Sequence, residues 1–153
     1  MSKAPKKPSP IPSRGDINVF DSLDEREACK HFLGKNLDEA EGLLRENFLY
    51  YQEDLMWMGP RAFTYYVHAA INYIHSDSAS ANSDTVNCLA GLFEFWFEHY
   101  RQELLLVAEP LAEVCRYILD HWIKFAVDPR IYGDLRARYV VLAQAFEHLG
   151  HDA

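Results

Sequence analysis

The sequence has little with which to staple itself, span a bilayer or hold a metal. It contains three cysteines, Cys29, Cys88 and Cys115, far apart and without a C-x-x-C pair. That speaks against a disulfide framework, and the cysteines read as buried thiols in a reducing compartment. No uninterrupted apolar run approaches the ~18 residues that a membrane span requires, because Glu94, Glu98, Arg101 and Glu103 interrupt the best stretch. The N-terminal "MSKAPKKPSPIPSRG" is charged but lacks the apolar core of a secretory signal. The expected location is cytoplasmic, with no membrane association.

Cations are also scarce. Fifteen Lys and Arg face 23 Asp and Glu, and four of the fifteen (Lys3, Lys6, Lys7 and Arg14) precede the first acid, Asp16. From Asp16 onward 11 cations remain against 23 acids, a net charge of about −12. Such a body repels phosphate backbones and attracts basic proteins, so the expected partner is a basic protein and not nucleic acid.

Catalytic and metal motifs are missing as well. None of the seven histidines follows an acid by three positions, so the paired Glu-x-x-His of a di-iron bundle is absent. There is no H-E-x-x-H, no glycine-rich phosphate loop and no G-x-S-x-G elbow. His148 and His151 are a lone pair near the C-terminus. No catalytic residue, metal site or cofactor is assigned, and the chain is read as a non-enzyme.

What the sequence does have is helix. Residues 1–16 form a basic, Pro-rich arm expected to be disordered, and residues 17–153 carry no alternating strand pattern and no fixed repeat. The length predicts one domain, an all-α irregular bundle of about six helices. Ser22 with Glu25 forms a capping box and Gly34 a stop for the first helix. Asn36 caps a second through "LDEAEGLLRENFLYY", with Leu37, Ala40, Leu44 and Phe48 on one face. Gly59-Pro60 opens a third with the stripe Phe63, Val67, Ala70 and Ile74. Asp84 caps a long fourth reaching about Leu106, Pro110 separates a fifth, and Asp128-Pro129 starts a sixth with Ile131, Leu135, Tyr139, Leu142, Phe146 and Leu149 on one stripe.

Three stretches carry what functional information there is. On the third helix Arg61, Thr64, His68, Asn72 and His75 share a polar stripe, which reads first as a solvated face and second as a site in which His68 acts as a base assisted by Asn72. In "GLFEFWFEHY" the stripe Val86, Leu89, Phe93, Trp96 and Tyr100 is core, while Leu92 and Phe95 lie on another side. Buried, they make the helix central; exposed together, they make it an interface with a partner or a second copy. In "YYQEDLMWMGP" Met56 and Trp57 stand beside Glu53 and Asp54, a composition that suits either an inter-helix plug or an adaptable binding surface.

The last stretch, continued by "AFTYYVHAA", resembles a signature of small uncharacterised bacterial helical proteins, some of them candidate immunity proteins that neutralise toxins. The resemblance covers roughly residues 30 to 75 and implies a protein-binding role. The expected function is therefore an acidic helical protein-binding module of immunity type. Its candidate contact residues are Glu53, Asp54, Met56, Trp57, Leu92, Glu94, Phe95 and Glu98. The alternatives are a bundle that self-associates as a homodimer through Leu92 and Phe95, and an enzyme whose site gathers His68, His99 or His121 with a carboxylate from separate helices.

Overall fold

Ser13, Ser22 and Asn36 each accept the backbone N–H three residues on, while the acid at that position bonds back to the cap. These boxes satisfy amides that a helix start leaves unpaired. They set the first three helices in the computed structural model, which describes residues 10–151. Helix α1 runs Arg14–Ile17, α2 Leu23–Phe32 and α3 Leu37–Glu46. Much of the expected arm lies outside the described residues. Its last part is ordered: Pro12 and Ile17 are buried, and the Ile17 carbonyl accepts the Gly59 N–H at 2.9 Å.

The expected second helix is two. Asn47 leaves helical geometry at φ −158° and ψ 86°, and its side chain accepts the Tyr50 N–H, so α4 (Phe48–Trp57) starts afresh. A short amide side chain competes with the backbone for hydrogen bonds and so favours a cap over a helix interior. Helix α5 (Pro60–His75) follows, with Pro60 in its first turn and Phe63, Val67, Ala70 and Ile74 all buried.

Helix α6 (Ser83–Tyr100) is capped by Asn82, with Asp84 inside its first turn, and it stops before the expected Leu106. From Arg101 to Val107 the chain tightens into a 3₁₀ segment. Helix α7 (Ala108–Asp120) then begins ahead of Pro110. Proline in a first turn forfeits no intrahelical bond; the break lies at Tyr100, whose φ of −138° and ψ of 38° depart from the helix. A second 3₁₀ turn spans Trp122–Phe125. The expected sixth helix is also divided, into α8 (Pro129–Tyr132) and α9 (Leu135–His151), by Gly133 at φ 64°. Ile131 is consequently exposed, while Leu135, Tyr139, Leu142, Phe146 and Leu149 reach the core.

Among the described residues there is no strand, and the fold is the expected all-α bundle. Helix α6 is its centre. Val86, Leu89, Ala90, Leu92, Phe93 and Trp96 are all buried. The Trp96 indole stacks on Phe63 at 4.1 Å between centroids, and its N–H donates to the Leu55 carbonyl at 3.0 Å. Phe93 meets Phe146 edge-on, and the Tyr139 hydroxyl donates to the Val86 carbonyl, tying α9 to α6. Among the described residues no buried side-chain N or O lacks a hydrogen-bond partner, as burial without one would cost several kcal/mol.

Candidate functional site

Helices α2 and α4 pack side by side. On α2, Asp24, Glu27 and His31 are spaced by three and four; on α4, Tyr50, Glu53, Asp54 and Trp57 are likewise on one face. The two faces together line a shallow cleft of about 150 Å³. Its floor is the contact of His31 Nδ1 with the nearly buried Asp54 carboxylate at 2.6 Å. An ionised carboxylate only accepts, so Nδ1 carries the proton in this contact. The His31 ring is held edge-on by Tyr50 at 5.4 Å and Tyr51 at 5.2 Å. Burial raises the Asp54 pKa and the His31 hydrogen bond lowers it; burial prevails, and the group titrates above its ordinary value.

The cleft wall is acidic and aromatic. Glu53, Glu27 and Asp24 are exposed, with Glu27 engaged by Lys30 at 2.7 Å. Trp57 is 44% exposed, and its inner edge rests on Phe95 at 5.4 Å. It is neither a plug nor in a loop: Leu55 and Met58 fill that role, fully buried at the end of α4.

The α1–α2 connector and the start of α2 display apolar side chains. Phe20 of the connector is 79% and Leu23 of α2 is 76% exposed, although the backbone around them is heavily fixed. The Glu25 carboxylate, only 3% exposed, accepts the N–H groups of Val19, Phe20 and Ser22 and the Ser22 hydroxyl. Arg26 makes a two-pronged pair with Asp21, which sits at a left-handed φ of 59°. Burial would raise the Glu25 pKa, but the Ser22, Phe20 and Val19 bonds outweigh it and hold the carboxyl below its usual range.

The remaining expected contact residues do not all gather here. Glu53, Asp54 and Trp57 share the cleft, and Phe95 backs it, half-buried. Met56 is half-buried against the core. Leu92 is 0% exposed and is withdrawn from the candidate surface, because α6 is covered on that side too. Glu94 turns to α9, where Arg138 grips both its oxygens, and Glu98 is exposed farther along α6. His31, Asp24 and Glu27 were missed. The spacing 24, 27, 31 on α2 was the only local sign, and the 23-residue separation of His31 from Asp54 conceals the pairing.

His68 is half-buried, whereas Asn72 is exposed, and no hydrogen bond joins them among the described residues, so the relay suggested by the polar stripe is not assembled. Cys29 and Cys115 are buried and Cys88 half-buried; burial pushes all three thiols up, away from the reactive thiolate. Among the described residues no helix is long and apolar enough to cross a membrane. Compared with family models, curated proteins and solved structures, the chain finds no match.

Proposed function

We propose that this chain is a protein-binding module that docks a basic partner on its α2–α4 face. One observation carries the reading: Trp57, 44% exposed, lines a single cleft with the acids Asp24, Glu27 and Glu53. A partially exposed Trp is the side chain that most often anchors an interface. Acids around it steer and select a basic target, and the excess of acid over the whole body extends that attraction to longer range.

The chemistry of the cleft fits a lysine or arginine side chain. Tyr50 and Trp57 line the cleft with aromatic rings of the kind that attract a cation, and Glu53 and Glu27 supply carboxylates. The connector's Phe20 and the first α2 residue, Leu23, add apolar contacts on backbone that is already ordered, which lowers the cost of ordering that backbone on binding. The resemblance across roughly residues 30 to 75 tilts the choice among binding partners toward a toxin.

The test uses the tagged full chain and its Glu53→Gln/Trp57→Ala variant as baits in a lysate of the source cells, with washes at low and raised salt. The expected result is a basic protein held by the wild type, weakened by salt, and lost from the variant. Equal retention by both baits, or recovery of the bait alone, overturns the reading.

A further inference from the structure

A second concavity, sharing no residue with the α2–α4 cleft, has a different chemistry. It is a groove of about 350 Å³ lined by Arg61, Thr64, Tyr65 and His68 of α5 and by Leu106 and Val107 of the 3₁₀ segment, with Pro10 and Pro12 closing one side. Among the described residues no carboxylate lines it, and Glu103 joins Arg61, Thr64 and Leu106 only around an adjoining depression. The α5 residues at 61, 64, 65 and 68 repeat every three or four positions and so share one face. The break of α6 at Tyr100 sets the 3₁₀ segment against that face.

The polar groups here are held in reserve. The acid paired with the Arg61 guanidinium is Asp16, at a loose 3.9 Å, so its planar fork of donors remains available for a carboxylate. Thr64 donates its hydroxyl proton to the Arg61 carbonyl at 3.0 Å and keeps its lone pairs. Among the described residues neither the Tyr65 hydroxyl nor the His68 ring has a hydrogen-bond partner. Among the described residues no buried side-chain N or O is unsatisfied, so these atoms keep some exposure to solvent. Burial raises the Tyr65 pKa and lowers that of His68, keeping the phenol a donor and the imidazole neutral, with one N–H and one acceptor. The opposite wall is apolar, and Leu106 is among the most exposed large side chains of the protein.

We infer that this groove binds a small organic carboxylate with an apolar body: the carboxylate sits on the Arg61 guanidinium and the Tyr65 hydroxyl, and the body lies along Leu106 and Val107 toward His68. From residue 61 to residue 68 a helix rises about 10 Å, the length of a short arylalkanoate. A volume of about 350 Å³ lies at the lower end of small-molecule sites, roughly 300–1,000 Å³. The inference is independent of the protein-docking proposal, which concerns another face.

The experiment titrates the full-length protein with 4-phenylbutyrate by two-dimensional amide NMR, beside 4-phenylbutyramide as the uncharged isostere and inorganic phosphate as the bare anion. Saturable shifts at Thr64, Tyr65, His68, Leu106 and Val107 with the carboxylate are expected. The amide should bind about tenfold more weakly, as should the carboxylate to Arg61→Gln. Arg61 is exposed, so that variant retains the core, and an unchanged unfolding midpoint verifies it. The inference is overturned if the amide or phosphate binds as tightly as the carboxylate, if Arg61→Gln leaves the affinity unchanged, or if no saturable shift occurs at those positions.

Discussion

Glu25 shows how much a single residue can hold. Its carboxylate is buried without a cation among its hydrogen-bond partners, and the backbone of Val19, Phe20 and Ser22 supplies the compensation. Glu25→Gln must turn an amide N–H toward some of these donors, and the expected loss is about 1–3 kcal/mol in urea unfolding. Its pH dependence has a definite sign. The folded pKa lies below the ordinary 4.5, so this contribution is complete above that value and is lost as pH falls through the folded pKa. The wild type should therefore lose more stability than Glu25→Gln between about pH 6 and about pH 3. Asp54, whose pKa is raised, acts in the opposite sense: its contribution is present at low pH and fades as pH rises through its folded value. The capping box of Ser22 and Glu25 was legible because it spans three residues. The bonds to Val19 and Phe20 were not, since they depend on where α1 brings the chain.

Among the elements, α1 is one of the two shortest α-helices and the most exacting. It is a single turn, yet it packs on the start of α5 closely enough that a Cβ on Gly59 would meet the Asp16 carbonyl oxygen at 2.2 Å and Val19 Cγ2 at 2.6 Å. The closer of the two clashes is with backbone, which has no rotamer to escape into. Gly59→Ala should cost about 1–3 kcal/mol or more, and amide exchange of residues 14–19 should accelerate beyond that of α6, because the turn detaches first. If exchange there is unchanged, the turn is not held by this contact. The same scale shows what sequence periodicity can and cannot give. The stripes of α5 and α6 were readable because apolar spacing directly encodes which side is buried. The breaks at Asn47, Tyr100 and Gly133 were not: the apolar spacing runs on through Asn47 and Gly133, and only backbone geometry reveals the interruption. Because Tyr100 ends α6 early, Leu106 projects beside Arg61 rather than continuing a helix, and the α5 groove exists for that reason.

For the whole molecule, the question is which of its many aromatic and aliphatic side chains hold the bundle and which are left for others. Composition alone assigned Leu92 and Trp57 to the same candidate surface. The packing separates them, because α6 is covered at Leu92 while the last turn of α4 has Phe95 behind it and water in front. That division yields a paired prediction. Leu92→Ala removes a fully buried side chain and should lower stability by about 2–5 kcal/mol. Trp57→Ala should lower it by about 1 kcal/mol, since much of the ring is already in water. If the Trp57 ring is an anchor, the order reverses for partner capture: Trp57→Ala abolishes it, whereas Leu92→Ala, assayed below its own unfolding midpoint, retains it. Urea unfolding read beside capture at low salt decides the matter. A Trp57→Ala loss as large as that of Leu92→Ala would make the ring part of the core. The acids would then serve solubility, and the cleft would have no anchor to offer a partner.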